Sequence, residues 1–435
     1  PRRSVTDPGV VTTRQTITPA GVPAVFGGRV YGVAFGATAD ELWVLNQRGM
    51  YRFDWLKNRV LDRIQPAPRR AGLQGVAFDR VTGRAIYTGT SNDRDVWFSA
   101  VESGKPVELR TRVGRHLSGA PAIAPKPNSK GERLAVVPLV HDNLLAVIDL
   151  NAPSGFETVP TGIAPFAAII NDSGDTAWVS NWGGRAPRAG DRTAPTGLLP
   201  GADRVVVDER GIASTDTVMR IDLLARKVTA SVETGLHPTA LAWDQGRRRL
   251  FVANNNADSI TVIDTAAAKV VNTWNIAPFE EKAPGLAQSA LALNPDGSRL
   301  FVALGGINAV AVLDAATGRV EGMIPTGWYP SALALSPDGR KLAIGSLLGA
   351  GSAWRDQPNQ RFVHSYRGSV AVVDMPDAAQ LANFTNAVAE NTRLTLAGRG
   401  QLARRPTSRN VQPKAIPARA GDPSLIEHVV YIVKE

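Results

Sequence analysis

Internal repetition is the sequence feature that most restricts the fold of this chain. Residues 238–253 read PTALAWDQGRRRLFVA, residues 288–303 read QSALALNPDGSRLFVA, and residues 330–345 read PSALALSPDGRKLAIG. Each copy leads to a third apolar run that ends in aspartate, as in ITVID, VAVLD and VAVVD. Since these runs are rich in Val, Ile and Phe and have no helical period, each unit is predicted to be a set of short antiparallel strands.

Seven copies of this unit can be followed along the chain. Their first strands lie near Val33, Val76, Ile123, Ile169, Leu241, Leu291 and Leu333, at intervals of 43, 47, 46, 72, 50 and 42 residues. Most intervals fit one four-stranded blade, and a fourth strand follows each closing aspartate, as in KVVNTWNI. The sequence therefore predicts an all-β, seven-bladed β-propeller of four-stranded antiparallel blades over residues 1–376.

Closure of the ring is expected to involve the amino-terminal residues. The last unit has three recognisable strands, and Thr12–Pro19 (TTRQTITP) has the pattern of a fourth strand without the preceding three. We predict that this segment completes the seventh blade, because closure removes the exposed sheet edges of an open ring.

Two insertions are predicted to share one face of the propeller. Residues 181–215 and 346–368 both separate the second strand of a blade from its third, and such loops emerge on the same face as the turns between blades. Long loops on a rigid scaffold commonly carry binding residues. They could instead only pack on a neighbouring domain. The candidate docking residues are Trp182, Arg185, Arg188, Arg192, His237, Trp328, Tyr329, Trp354, Arg355 and His364.

The segment after the propeller differs from it in composition. Residues 377–391 (DAAQLANFTNAVAEN) are predicted to form one helix, and residues 392–424 form a basic linker rich in Pro, Ser and Ala. The chain has a formal net charge of +10, and this linker carries much of it. The linker is either a solvated tether or a contact for nucleic acid or an anionic membrane.

Several site classes find little support in the sequence. The chain has no cysteine, and its five histidines lack the spacing of HxH or HExxH zinc motifs. No run of 18 apolar residues is present, so no membrane span is predicted. A metal site in the channel stays open for Asp142, Asn143, Asn181 and residues 254–256. The recurrent aspartates are otherwise expected to accept hydrogen bonds from turn amides.

The repeats resemble those of YVTN-type, YncE-like propellers over about residues 12–375. SNWGGRAPRAGD from Ser180 and IEHVVYIVKE from Ile426 further resemble bacterial proteins in which this propeller is fused to an alkaline phosphatase-like phosphoesterase domain. The resemblance implies that residues 425–435 are the first strand of that domain. It also implies that Glu435 helps to bind a divalent metal whose other ligands lie downstream, so the metal is a cofactor of the parent protein and not of this chain.

Two functions follow as hypotheses. The first is a non-catalytic docking module whose partner is its own phosphoesterase domain or another protein, in a periplasmic or secreted phosphatase or phospholipase C-like parent, as the resemblance implies. The second is a stand-alone YncE-like propeller that binds DNA or another anionic partner. In either case residues 1–435 are expected to have no phosphatase activity of their own.

Overall fold

The computed structural model describes residues 1–5, 9–64, 70–90, 95–101, 107–110, 117–152, 155–198, 201–283, 285–354, 365–397, 412–415 and 425–426. Within them, seven four-stranded antiparallel sheets follow one another along the chain. The first strand of each sheet contacts the first strand of the next, for example that of the fifth blade and that of the sixth. The predicted seven-bladed β-propeller is therefore confirmed.

Strand β1 (Val22–Val25) precedes the blades. Blades one to three contain β2 (Val30–Phe35), β3 (Glu41–Asn46), β4 (Gly49–Asp54), β5 (Arg59–Ile64), β6 (Arg70–Asp79), β7 (Arg84–Thr90), β8 (Asp95–Ala100), β9 (Val107–Arg110), β10 (Ala122–Ile123), β11 (Leu134–Leu139), β12 (Leu144–Asp149) and β13 (Glu157–Pro160). Blade four contains β14 (Pro165–Ile170), β15 (Thr176–Asn181), β18 (Thr217–Asp222) and β19 (Lys227–Glu233), and its insertion forms a separate hairpin of β16 (Thr193–Pro195) and β17 (Arg204–Val206).

Blades five to seven are the most regular copies of the repeat. They contain β20 (Pro238–Asp244), β21 (Arg249–Asn254), β22 (Ser259–Asp264), β23 (Lys269–Asn275), β24 (Gln288–Leu293), β25 (Arg299–Leu304), β26 (Ala309–Asp314), β27 (Val320–Pro325), β28 (Trp328–Leu335), β29 (Lys341–Gly349) and β30 (Ser369–Asp374). The middle strands are nearly continuously buried, as in RLFVAN of β21, because neighbouring blades cover both of their faces.

The ring is closed by a different amino-terminal strand from the one predicted. Strand β1 pairs antiparallel with β30, with Val22 opposite Val372 and Val25 opposite Ser369. Thr12–Pro19 forms no strand, so that prediction of the closing segment was wrong. This segment instead runs past the sixth blade, where the Gln15 side chain donates to the Gly306 carbonyl at 2.7 Å and the Thr16 amide donates to the Asn391 carbonyl at 3.1 Å.

Neighbouring blades are joined by hydroxyl groups that donate to carbonyls on the first strand of the next blade. Ser180 Oγ donates to the Thr239 carbonyl at 2.6 Å, Thr239 Oγ1 donates to the Gln288 carbonyl at 2.7 Å, and Ser289 Oγ donates to the Pro330 carbonyl at 2.7 Å. These three bonds link blades four, five, six and seven in sequence. Because the hydroxyls are buried, each bond also satisfies a polar group that would otherwise be costly to bury.

One side chain crosses the central channel. The first strand of blade two, β6, bulges between Ala71 and Val76, and Gln74 lies within the bulge at a φ of 53°. Its amide nitrogen donates at 2.6 Å to the Ser289 carbonyl of blade six and at 2.6 Å to the Ser331 carbonyl of blade seven. Gln74 therefore ties blade two to blades six and seven, neither of which is its neighbour in the ring.

The predicted helix is confirmed and covers the outer edge of blade six. Helix α1 (Ala378–Thr392) begins after Asp377, whose side chain accepts a hydrogen bond from the Gln380 amide. It packs on β27, where Gly322 leaves room for Leu381 and Thr385 Oγ1 accepts from the Met323 amide at 2.9 Å. The basic linker at 392–424 and the predicted strand at 425–435 lie mostly outside the described residues. Among the described residues, no helix is long and apolar enough to cross a membrane.

The channel contact of Gln74 predicts a measurable share of stability. We expect Gln74→Ala to lower the free energy of unfolding by about 1–3 kcal/mol, since two hydrogen bonds worth about 0.5–1.5 kcal/mol each are lost. Chemical denaturation gives this value. Gln74→Gly is the matched control, because it removes the same bonds but relieves the positive φ, so it should destabilise less than the alanine variant. Unchanged unfolding midpoints for both variants would contradict the bridging role.

Candidate binding site on the insertion-bearing face

Acidic and amide side chains hold the turns between blades in place. In blades three, five and six, the side chain of the residue directly before the third strand accepts a hydrogen bond from a backbone amide in the turn that leads to the next blade. The pairs are Asn143 with Ala164 (2.9 Å), Asp258 with Leu286 (2.8 Å) and Asn308 with Tyr329 (2.9 Å). We name this contact the inter-blade latch. Asn143, which the sequence left open as a metal ligand, therefore has a structural role.

Four inter-blade turns, three of them latched, share an unusual backbone conformation. Ala164, His237, Ala287 and Tyr329 all have φ between 52° and 59°, at or next to the start of the first strand of a blade. Such left-handed values cost about 1–2 kcal/mol for a residue other than glycine. The latch bond offsets part of this cost because it fixes the turn amide. Consequently His237 and Tyr329, both predicted docking residues, occupy equivalent positions in two blades.

Three rings form a continuous stack between blades four and five. The Trp182 ring lies 4.3 Å from the Phe166 ring and 4.6 Å from the His237 ring, measured between centroids, with an interplanar angle of 23° in both cases. Trp182 begins the insertion after β15, whereas His237 belongs to the turn before β20. The stack therefore joins the insertion to an inter-blade turn, as the shared face of these loops predicts.

Asp216 lies at the latch position of blade four and is almost completely buried. Its side chain is 3% exposed, and neither carboxylate oxygen has a hydrogen bond of ordinary geometry within the described structure. Burial raises the pKa of Asp216 to about 7, and the nearby His237 backbone amide offsets only part of this effect. Burial also lowers the pKa of the His237 side chain. Both groups are thus pushed toward their neutral forms.

Other buried polar atoms without hydrogen bonds lie at the two ends of the same insertion. Within the described part of the chain, Asn181 Oδ1, Trp182 Nε1 and Thr215 Oγ1 are buried and have no protein partner. They include a donor, an acceptor and a hydroxyl, and they belong to the two ends of the same insertion. Buried polar groups are normally satisfied by protein, water or ligand. The ends of the insertion therefore hold hydrogen-bonding groups that the described protein atoms leave unsatisfied.

An ion pair braces the insertion next to the stack. Arg185 donates two hydrogen bonds to Asp191, at 2.7 and 2.9 Å, and the Arg188 amide donates to Asp191 at 2.6 Å. The Arg185 side chain lowers the pKa of Asp191 to about 2. Gly184, at a φ of 71°, approaches the Thr215 carbonyl so closely that a Cβ there would lie 2.0 Å from the oxygen. SNWGGRAPRAGD thus encodes a rigid loop base.

The structure divides the predicted docking residues into two groups. Trp182, Arg185 and His237 lie together between blades four and five, and Arg188 and Arg192 are exposed on the same insertion. The second group lies at blades six and seven, where Trp328 is buried and the Tyr329 ring lies against Gly305. Trp354 stacks on the Arg367 guanidinium at 3.8 Å. Arg355, His364 and Glu435 lie outside the described residues.

Two residues of the site were absent from the sequence prediction. Phe166 sits in the first strand of blade four, where its pattern is that of an ordinary core residue. Asp216 could have been found from the repeat, because STDTVMRID aligns with NADSITVID. This alignment gives Asp216 the same position in its unit that the latch residue Asp258 has in the next one. The metal alternative gains no support: the described residues contain no group of three His, Asp or Glu side chains placed to hold an ion.

The buried carboxyl group predicts a pH dependence of stability. The folded-state pKa of Asp216 is about 7, above its unfolded value near 3.8, so its stabilising contribution is present at low pH and is lost as the pH rises through 7. We expect Asp216→Asn to raise the melting temperature at pH 8 relative to the wild type, with a smaller difference at pH 5.

A carboxyl group whose pKa is lowered in the folded protein, not raised, provides a control for this measurement. The pKa of Asp208 is lowered by hydrogen bonds from the Ile212 amide and the Arg210 side chain, so Asp208→Asn should not stabilise the protein at pH 8. His237→Gln tests the contribution of the second titrating group on its own. Because the pKa of His237 is lowered in the folded protein, this side chain lowers the stability only as the pH falls. Equal melting temperatures of wild type and Asp216→Asn at pH 8 would contradict the burial argument.

Comparisons with known proteins establish the fold and no narrower family. No protein-family model and no curated protein sequence matches the chain. Among solved structures, hydrazine synthase of Kuenenia stuttgartiensis is similar with a TM-score of 0.57 and 14% identity over 84% of this chain and 99% of that chain. The Cps50 (Swd1) β-propeller domain of Myceliophthora thermophila has a TM-score of 0.57 and 13% identity over 83% of this chain and 100% of that domain. By topology and by structural similarity, the chain is a seven-bladed β-propeller.

Proposed function

We propose that this propeller is a non-catalytic binding module that holds a partner against its insertion-bearing face. The observation that carries the proposal is the Phe166–Trp182–His237 stack beside the buried Asp216 carboxyl group. Aromatic side chains on a rigid base lose little conformational entropy on binding and are enriched among the residues that dominate interface energies.

Rigidity of the loop base supports docking at this position. The Arg185–Asp191 pair, the tight approach of Gly184 to Thr215 and the contact of Trp182 with His237 fix the insertion at both ends. A preformed surface avoids much of the entropy cost of ordering a loop on binding. Packing on a fixed neighbouring domain would use the same surface, and it is one form of the docking proposed here.

The partner that we propose is a phosphoesterase domain that continues the same polypeptide. The support is the resemblance of SNWGGRAPRAGD and of the carboxyl-terminal IEHVVYIVKE to propeller–phosphoesterase fusions. In such a parent, Glu435 would contribute one carboxylate toward a divalent metal, and the remaining ligands would lie downstream. A metal polarises a phosphoryl oxygen only when several ligands hold it, so one carboxylate is insufficient for turnover. By the same resemblance, we propose a periplasmic or secreted location.

Nucleic-acid binding through the arginine run at 247–249 is less well supported. Arg247 is paired with Asp244 at 2.8 Å and also donates to the Asp296 carbonyl, so its charge is already partly neutralised. The basic linker could still contribute such binding, but it lies mostly outside the described residues. The docking proposal therefore remains the better supported of the two.

Mass and hydrogen exchange test the docking proposal together. We expect the native gene product to be much heavier than the 46.2 kDa of this chain. We also expect amides of residues 181–198 and 235–238 to exchange more slowly in that product than in residues 1–435, because the docked domain excludes water from them. Trp182→Ala should abolish this difference in exchange rate. The matched control is Trp243→Ala, which removes a tryptophan from β20 of blade five, away from the ring stack, and should preserve the difference.

Two outcomes would contradict the proposal. A native product that ends at residue 435 would rule out the attached partner, and equal exchange rates in the two forms would rule out docking at this face.

Activity is a separate check: residues 1–435 should not hydrolyse p-nitrophenyl phosphate with added Mg²⁺, Mn²⁺, Zn²⁺ or Ca²⁺. Metal-dependent turnover by this chain would show that the propeller is not merely a binding module.

A further inference from the structure

Three arginines lie together on the insertion-bearing face of blade one. Arg29 immediately precedes β2, Arg48 lies in the turn between β3 and β4, and Arg63 lies near the end of β5. All three positions are at the same end of the blade, because β2 starts there, β3 and β4 meet there, and β5 ends there. We name Arg29, Arg48 and Arg63 the blade-one arginine patch.

Aromatic rings and backbone contacts hold these guanidinium groups in place. The Arg29 guanidinium lies 4.5 Å from the centroid of the Tyr366 ring, and that of Arg63 lies 5.7 Å from the Tyr51 ring. Arg63 Nη2 also donates to the Arg48 carbonyl at 3.0 Å. The Arg48 side chain packs over Gly27, where a Cβ would approach its Nη1 to 3.1 Å. The arginines are therefore partly ordered before any ligand binds.

Backbone pairing makes the patch a junction of blades one and seven. The Gly28 amide donates to the Tyr366 carbonyl and the Gly368 amide donates to the Gly28 carbonyl, both at 2.8 Å. The Arg29 carbonyl accepts from the Gln47 amide and from Asn46 Nδ2, both at 2.9 Å. Next to this junction, the buried Arg367 stacks on Trp354. The second insertion is thus attached to the arginine patch.

The patch carries uncompensated positive charge. None of the three arginines has a carboxylate within ion-pair distance in the described structure, whereas Arg185, Arg226, Arg247 and Arg299 elsewhere each have one. The segments 26–30, 46–51, 349–354 and 365–368 next to the patch contain no Asp or Glu. Asp62 precedes Arg63 in β5 but forms no ion pair with the three arginines in the described structure. Arg48 and Arg63 are exposed and Arg29 is half-buried, so a ligand can reach them.

We propose that the blade-one arginine patch binds an acidic segment of a partner protein. Neighbouring strands are about 4.8 Å apart, so the backbone positions of the patch extend over roughly 14 Å between β2 and β5 and present several positive charges side by side. An extended chain with several Asp or Glu residues matches this spread. Arg and Tyr are also the residue types most enriched at the centres of protein interfaces. This binding does not depend on docking at the Trp182 stack.

Fluorescence anisotropy with synthetic peptides tests this proposal. Labelled decaglutamate should bind the wild-type chain at 20 mM salt, and decaglutamine should not. The triple variant Arg29→Gln, Arg48→Gln, Arg63→Gln should bind decaglutamate at least about tenfold more weakly, because three charge pairs are lost. The matched control is Arg84→Gln, Arg248→Gln, Arg340→Gln, which removes the same net charge from exposed arginines outside the patch that also have no ion pair in the described structure, and it should bind nearly as well as the wild type.

The outcomes separate a specific patch from general charge attraction. Equal weakening by both triple variants would overturn the proposal, as would decaglutamate binding that neither variant changes. A labelled ten-nucleotide single strand provides the third arm. If the patch variant weakens binding of this oligonucleotide more than binding of decaglutamate, the patch is a nucleic-acid surface and the acidic-segment proposal is wrong. Matching melting temperatures of both variants and the wild type verify that folding is intact.

Discussion

Pairing of the chain's beginning with its end is the constraint on which the rest of the structure depends. Val22–Val25 forms the outer strand of a blade whose other three strands lie between residues 328 and 374. Without this pairing, the seventh sheet would expose an unpaired edge, and blades one and seven would have no shared sheet between them. Closure also brings Gly28 against Tyr366, so the junction that orders Arg29 exists only in the closed ring. Stability of the fold and shape of the binding face are thus coupled.

Within the closed ring, a few polar residues decide how neighbouring blades are positioned. Ser180, Thr239 and Ser289 join neighbouring blades, the latch residues hold inter-blade turns, and Gln74 joins blade two to blades six and seven. Apolar packing supplies most of the favourable free energy, but it is not directional. Hydrogen bonds between specific partners can select one arrangement of blades from several with similar burial. Asp216 departs from this pattern, because it occupies a latch position yet leaves its carboxyl group without ordinary hydrogen bonds.

The sequence predicted features that depend on local pattern and missed those that depend on distant neighbours. The strand repeat, the number of blades and the helix that begins after Asp377 follow from periodicity, turn residues and capping, all of which are local. Thr12–Pro19 has the alternation of a strand, but Gln15 and Thr16 find partners on blade six and at the end of α1 instead. The stack of Phe166 on Trp182 and the meeting of Arg29 with Tyr366 each require two segments that only the folded ring brings together.

In four inter-blade turns, one residue with a left-handed backbone conformation can change its side chain without changing the turn. Ala164, His237, Ala287 and Tyr329 share one backbone conformation but differ widely in side-chain size and chemistry. In the turns of Ala164 and Tyr329, the latch partner bonds to the backbone amide of that residue and not to its side chain, so the conformation does not depend on which side chain is present. Mutations at these positions can therefore alter the chemistry displayed around the rim of the ring while the scaffold is inherited unchanged. Side chains at these positions can thus differ from blade to blade without a change in the turn that carries them.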